Sequence, residues 1–307
     1  RQTWLRAVEG IEIFIEGRHE PLLQQLHDRG WYAGLPAPRF TRSSGTVSMS
    51  AKVFAVGGEG TIYVTTDGTD PRDPNEKPAT SAQRARIPTI EHTILLGDRA
   101  PARAYVPWNR ALGLSWIQPK FDDRAWTPGR TGIGYDTQGD YADLIGIDFR
   151  GAMKERELTT AYIRVPFTLS KAHLEGFDEL TLGMRYDDGF IAYLNGQQVA
   201  AANAPSRPQW DSQAVTDNPE GEAIKFNDRP LDDASKLLRE GENLLAIHGM
   251  DGSASSDFLI TPRIQGIRYT GAEPISIKAS GTTRIRARSL LDGKWSPLAE
   301  ITVTRKP

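Results

Sequence analysis

Thr61-Ile-Tyr-Val-Thr-Thr-Asp-Gly-Thr-Asp-Pro-Arg72 decides how the rest of this chain is read. Its first six residues are β-branched or aromatic, the composition of a strand. Asp67-Gly68 then offers a residue that tolerates positive φ, and Pro71 fixes the exit from the turn. Further strands of a small β-sandwich should follow at once. Instead, residues 73–86 are polar and rich in turn formers, and a second long β-rich region comes next. Strand-like runs of matching character return only at 275–279, 284–289 and 300–304. With the runs 46–50, 52–55 and 61–66, they supply about as many strands as an Ig-like sandwich of ~100 residues needs. The expectation is one sandwich interrupted by another.

Within the interruption, core-strand character is clearest at 161–169, 179–186, 190–194, 243–248 and 258–260. Asp187-Asp188-Gly189 and Asn195-Gly196 bracket one of these runs as tight turns. Long polar stretches at 135–156 and 203–227 read as loops. At the other extreme, Trp4, Leu5, Val8, Ile11, Phe14 and Ile15 fall on one helical face. Leu22, Leu23 and Leu26 follow in a second short helix, with Pro21 in its first turn and Gly30 ending it. Pro36 and Pro38 mark an extended linker. The fold class expected is mostly β, an Ig-like β-sandwich split by an inserted jelly roll, with a short N-terminal helical segment. Its divisions are 1–34 (helical), 35–92 plus 268–307 (split sandwich) and 93–267 (insert).

Composition narrows the function. The chain has 307 residues, of which 38% are hydrophobic and 25% charged, enough for each division to bury a core. Its 37 basic and 39 acidic residues are interspersed and give a net charge of −2, so the basic footprint of a nucleic-acid binder is absent. With no cysteine, disulfides, thiolate catalysis and Cys-type zinc sites are excluded. No apolar run approaches the ~18–20 residues of a membrane-spanning helix. The chain starts at Arg1 without a visible leader, as expected of a mature form or a piece of a longer protein.

Signatures of catalysis are missing. There is no G-x-S-x-G elbow and no P-loop, and His19-Glu20 lacks the second histidine of a zinc-protease helix. The five histidines lie in separate segments. Paired Asp187 and Asp188 have two readings: turn residues that end a strand, or oxygen ligands for Ca2+. Asp67, Asp70 and Asp73 pose the same choice, and Gly68 and Pro71 explain them as turn residues. Trp126, Tyr135 and Trp295 read as core. Trp108 and Trp116 stay open. Trp210 lies in a polar loop that demands no large apolar side chain, so it either folds back as a lid or offers a ring to a ligand. His248 and Asp257 come from the last two strands of the insert. They are expected to meet Asp187 and Asp188 near one end, joined by Arg185, as a network that either buttresses loops or orients sugar hydroxyls.

Several motifs resemble known families. Tyr63 to Arg72, with Arg284-Ile-Arg-Ala-Arg288 and Trp295-Ser296, resembles the chitobiase/β-hexosaminidase C-terminal-type Ig-like module. The central region is similar to galactose-binding-like jelly rolls of large exported bacterial proteins. This match rests on Phe121-Asp-Asp-Arg-Ala-Trp126, Gly132-Ile-Gly134-Tyr135, Thr160-Ala-Tyr-Ile-Arg164 and Tyr186-Asp-Asp-Gly-Phe-Ile-Ala-Tyr-Leu-Asn-Gly196. Gly241-Glu-Asn-Leu-Leu-Ala-Ile-His248 and Ser255-Ser-Asp-Phe-Leu-Ile260 extend it. Trp4 to Tyr32, followed by Ala37-Pro-Arg-Phe40, looks like the tail of a CotH-type kinase domain and its linker. Together the resemblances imply a non-catalytic, carbohydrate- or cell-surface-binding accessory module of an exported protein, with polysaccharide and neighbouring domains as partners. The alternative they imply is a spacer that positions a catalytic domain and binds nothing itself.

Overall fold

A computed structural model describes residues 34–306, apart from 140, 232, 233, 253 and 254, together with 21, 22, 24–26 and 29. The expected helix carrying Trp4 to Ile15 lies outside the described residues, as do most positions of the 1–34 segment; residues 24–26 are helical. The chain is mostly β, with several antiparallel and mixed sheets and few short helices. It divides into two compact units: residues through Thr89 with those from Tyr269 onward, and Ile90–Arg268.

In the first unit, strand Thr61–Thr65 pairs antiparallel with Thr282–Leu291, placing Tyr63 opposite Arg288 and Val64 opposite Ala287. Ala299–Arg305 continues the sheet, and Gly45–Val47 adds to it in parallel. The alternation expected of strands is plain: Ile62, Val64, Ile285, Ala287 and Val303 form one buried cluster with Val53. On the opposite face Tyr63 packs against Trp295 at 5.5 Å. The turn after Thr66 is built as its residues dictate. Gly68 adopts φ +82, and Asp67 Oδ1 accepts hydrogen bonds from the Thr69 amide (2.9 Å) and hydroxyl (2.6 Å). Asp70 and Asp73 likewise accept from the amides of Arg72, Asn75 and Lys77, so all three carboxylates organise turns.

Two details differ from expectation. Residues 275–279 form no strand; Ile275 donates one backbone bond to Val53 and packs with Ile277 against the core, so burial without a continuous ladder accounts for the apolar pattern. Conversely, Gln83–Ala85 in the polar connection is an edge strand on Thr61–Thr65, where exposed side chains hide the strand signal.

The second unit is a sandwich of two six-stranded sheets. One orders Gln197–Ala202, Gly189–Leu194, Gly241–Met250, Thr160–Leu169, Pro101–Tyr105 and Thr127–Arg130. The other contains Ile147–Asp148, Ile133–Asp136, Asp257–Thr270, Glu179–Asp187 and Asn227–Pro230, with Thr89–Leu96 also on Asp257–Thr270. Ile163, Val165, Phe190, Ala192 and Ile247 of the first face Leu182, Met184, Ile260 and Ile264 of the second in one core. The expected loop over 135–156 is not a free loop. Ile147–Asp148 pairs with Ile133–Asp136, and Tyr141, Phe149 and Met153 are buried, single anchors too widely spaced to register as periodicity. The 203–227 stretch is irregular except for the short helix Glu220–Ala223 and Asn227, where the strand Asn227–Pro230 begins. No helix among the described residues is long and apolar enough to cross a membrane.

Candidate functional site

Strand alternation in the second unit sends a second set of side chains away from the sandwich core. Residues 161, 163 and 165 point inward, so Tyr162 and Arg164 point outward; likewise Ile191 and Tyr193, and Leu244, Ala246 and His248. The register aligns His248 between Ile191 on one side and Tyr162 on the other. This outer face is buried because two irregular segments lie over it, one carrying Trp116 and Trp126, the other Trp210.

Arg164 holds the first segment. It is 3% exposed and donates from Nε to Asp123 Oδ2 at 2.7 Å, from Nη1 to the carbonyls of Trp116 and of Gln118 (3.0 Å), and from Nη2 to Phe121 O at 3.3 Å. A planar fork with five donors suits a loop that must offer several inward carbonyls. The second segment is tied down by Thr160, whose hydroxyl donates to Trp210 O at 2.6 Å. Between the segments remains a cavity of about 130 Å³, lined by Trp116, Tyr162, Tyr193, Trp210 and His248, with Arg110 at its exposed rim. Trp116 stacks on Tyr162 at 4.2 Å with 9° between planes, and His248 meets Tyr162 edge-on at 4.9 Å.

Two polar atoms in this aromatic wall lack hydrogen-bond partners among the described residues: Trp116 Nε1 and His248 Nε2, on residues 1% and 4% exposed. Burial pushes His248 down to about 3, so its imidazole is neutral at ordinary pH. Burial likewise raises the Tyr162 hydroxyl to about 12. The cavity therefore offers aromatic faces, with an N–H donor and an uncharged ring nitrogen buried in its wall.

A separate hollow of about 650 Å³ lies where strand Glu179–Asp187 ends and Asp257–Thr270 begins. Asp187, Asp188 and Asp257 line it and are 3%, 5% and 4% exposed. The Asp188 carboxylate accepts from the amides of Asn218 and Gly252, both at 3.0 Å. Asp187 accepts from the Tyr141 hydroxyl at 3.1 Å, and burial, then neighbouring Asp188 and Asp257, push its carboxyl well above the usual range. Behind the hollow, burial raises Asp251 to about 7 even though the Tyr135 hydroxyl donates to it at 2.7 Å.

The expected single site is thus two. Asp187, Asp188 and Asp257 line one hollow. His248 does not join them, because its strand phase turns it to the outer face, where it meets Trp210. Arg185 joins neither: it stacks on Phe226 at 4.2 Å and pairs with Asp98 at 3.6 Å. Sequence reasoning missed Tyr162 and Tyr193, although aromatic side chains at the outward phase of core strands were the available signal. Trp116, left open, is fully buried, whereas Trp108 is 68% exposed. Among the described residues no three carboxylate or imidazole groups are disposed to hold a metal ion. In the first unit, a groove of about 580 Å³ between Gln83–Ala85 and residues 271–276 contains none of the expected site residues.

No protein-family profile matches the chain, and no curated protein matches it. Distant structural similarity links it to β-sandwich regions of glycoside hydrolases. Bacteroides uniformis β-glucuronidase 2 aligns at 12% identity with a TM-score of 0.36, covering 71% of this chain and 27% of that enzyme. Ruminococcus gnavus β-glucuronidase aligns at 9% identity and 0.35, covering 71% and 38%. A family 2 glycosyl hydrolase of Bacteroides cellulosilyticus aligns at 10% identity and 0.30, covering 69% and 36%. The chain thus matches well under half the length of each.

Proposed function

We propose that this chain is a non-catalytic carbohydrate-binding accessory module of a larger exported bacterial protein. We read the first unit as a split Ig-like sandwich of the chitobiase C-terminal type and the second as a galactose-binding-like jelly roll. On this reading any catalytic domain, CotH-type kinase or other, lies outside the chain, and the ligand is an extracellular or cell-surface glycan.

The observation that carries the reading is the aromatic cavity with its two unpartnered buried nitrogens. A buried polar atom without a partner costs about 1–3 kcal/mol, which a ligand hydroxyl would offset. An apolar cavity of about 150 Å³ accommodates one benzene ring, so at about 130 Å³ this one admits an edge of the larger sugar ring and not the whole of it. Its C–H face would stack on Trp210, and its hydroxyls would reach Trp116 Nε1 and His248 Nε2 once these rings turn to expose the buried atoms.

The test is retention on a broad panel of immobilised polysaccharides. The wild-type chain is expected to be retained by at least one. Trp210→Ala, which also strips packing from the outer face, is expected to weaken retention at least tenfold at a temperature where the variant is still folded. Absence of binding across the panel would leave the spacer role in its place.

A further inference from the structure

A glycan whose ring edge enters the aromatic cavity must lie mostly outside it, against the rim. Arg110, Gly113 and Leu114 line one side of the mouth. Two positions before Arg110 stands Trp108, 68% exposed. Two residues of chain span at most about 7 Å, which keeps the Trp108 backbone beside the opening.

Trp108 is unlike the other described tryptophans. Trp116, Trp126 and Trp295 are buried and packed on neighbouring rings, and Trp210 is half-buried over the same outer face. The Trp108 indole belongs to no buried cluster and makes no ring contact or hydrogen bond with a described residue. Its loop is nonetheless ordered. Pro107 just before it is buried, and Trp116 anchors the far end. Between them Asn109 Oδ1 accepts from the Ala111 amide at 2.8 Å, the Gly113 amide donates to Arg110 O at 3.1 Å, and the Ser115 hydroxyl donates to Leu112 O at 2.7 Å. A ring held out to solvent on such a loop is pre-organised, so less ordering is left to be done when a ligand stacks on it.

The surroundings of the ring fit a sugar better than a protein. The core of a protein interface is a contiguous apolar patch. On this loop Leu114 is the one other large apolar side chain exposed. Asn109 follows Trp108, and then Arg110, whose guanidinium forms no ion pair with a described residue. A pyranose asks for this combination: one aromatic face for its C–H side and polar donors for its hydroxyls.

We propose that Trp108 is the platform for a second sugar unit, so that the ligand is a chain of linked sugars. One unit puts its edge into the cavity, and its neighbour stacks on the exposed indole. The proposal rests on the carbohydrate-binding reading of the cavity and adds to it the length of the ligand.

The experiment is calorimetric titration of the whole chain with size-separated hydrolysates of cellulose, chitin, xylan and mannan, and of any further polysaccharide that retains it. Monosaccharide and tetramer fractions of each are compared. For at least one of them the tetramer is expected to bind at least tenfold more tightly than the monosaccharide. Trp108→Ala is expected to bring that tetramer down to the monosaccharide's affinity with an unchanged unfolding midpoint, as suits a side chain outside every core. Trp108→Phe keeps an aromatic face and is expected to retain most of the gain. Equal affinity of the two fractions, or a gain with length that survives Trp108→Ala, would overturn the proposal and leave the cavity reading in place. So would self-association of the chain that Trp108→Ala abolishes while tetramer affinity is unchanged, since the indole would then anchor a protein interface. Binding by no fraction, with no retention on the panel, would remove the carbohydrate reading and this proposal together.

Discussion

Arg288 and Asp70, 218 positions apart, are joined by two parallel hydrogen bonds of 2.8 Å, Nε to Oδ1 and Nη2 to Oδ2. The turn after the Thr61–Thr65 strand is thereby clamped to the C-terminal strand it pairs with. Arg288 also donates to the carbonyl of Ser296, tying in the short hairpin that carries Trp295.

Arg288→Lys should therefore loosen this region even though it keeps the charge. A lysine cannot reproduce the fork, and its side chain here would replace a 13%-exposed guanidinium. The expected cost is about 1–3 kcal/mol, read as faster hydrogen exchange at the amides of Thr61–Thr65. Burial alone would raise Asp70, but the bonds from Arg288 and Arg72 overcome it and hold the carboxyl below its ordinary value. Its contribution is accordingly present above the ordinary carboxylate range and lost as pH falls. Unchanged exchange in the lysine variant would show the clamp to be incidental.

Arg164 makes the corresponding argument for the second unit. Its guanidinium satisfies three carbonyls and Asp123 at once, and those carbonyls belong to the loop that positions Trp116. Replacing it with methionine keeps the stem but leaves these groups unpaired, a loss on the order of 3–5 kcal/mol for a broken buried pair. Urea denaturation should show that loss, and glycan retention should fall with it because Trp116 walls the cavity. Retained binding in a stable Arg164→Met variant would separate the loop from the cavity.

How legible all this was follows from where the signal resides. The pairing of 61–66 with 284–289 could be read because both runs are β-branched or alternate apolar with polar, and each ends in turn residues. Gln83–Ala85 could not, since an edge strand with exposed side chains has no apolar phase. For the site, Asp187 and Asp188 were visible as a pair before a glycine, and Asp257 as the start of a strand. The misplacement of His248 came from treating strand ends as one rim. Counting two by two from Ile247, which faces the core, puts His248 on the other side with Tyr162. Arg185 was lost for a different reason: its aromatic partner Phe226 comes from the polar stretch that reads as loop.

Asp251 is expected to make the second unit less stable as pH rises. Its carboxyl titrates near 7 when folded against 3.8 in a model peptide, so between those values the native state holds a proton that the unfolded chain has released. Stability then falls with rising pH, by up to about 1.4 kcal/mol per pH unit. Asp251→Asn keeps an acceptor for the Tyr135 hydroxyl and removes the titration. Relative to the wild type, the variant should gain stability steadily from about pH 4 to about pH 7. Parallel wild-type and variant curves over that range would rule the effect out.

His248 should produce the opposite slope. Its imidazole is pushed down to about 3 by burial against 6.5 when free, so between these values the unfolded chain binds a proton that the native state refuses. Its neutral burial therefore costs nothing above pH 6.5 and weakens the fold progressively as pH falls toward 3. His248→Gln removes the titration while leaving a polar atom among Trp116 and Tyr162. The variant loses ring packing at every pH, so the informative quantity is the pH dependence of its difference from the wild type. That difference should shrink as the solution is acidified below 6.5, by up to about 1.4 kcal/mol per pH unit. Above that pH, glycan retention by the wild type should be flat, because the buried imidazole in the cavity wall carries no charge to lose. A retention curve that instead rises or falls through the ordinary histidine range would mean that the imidazole is charged in the free protein, and the cavity would then favour an anionic ligand and not a neutral one.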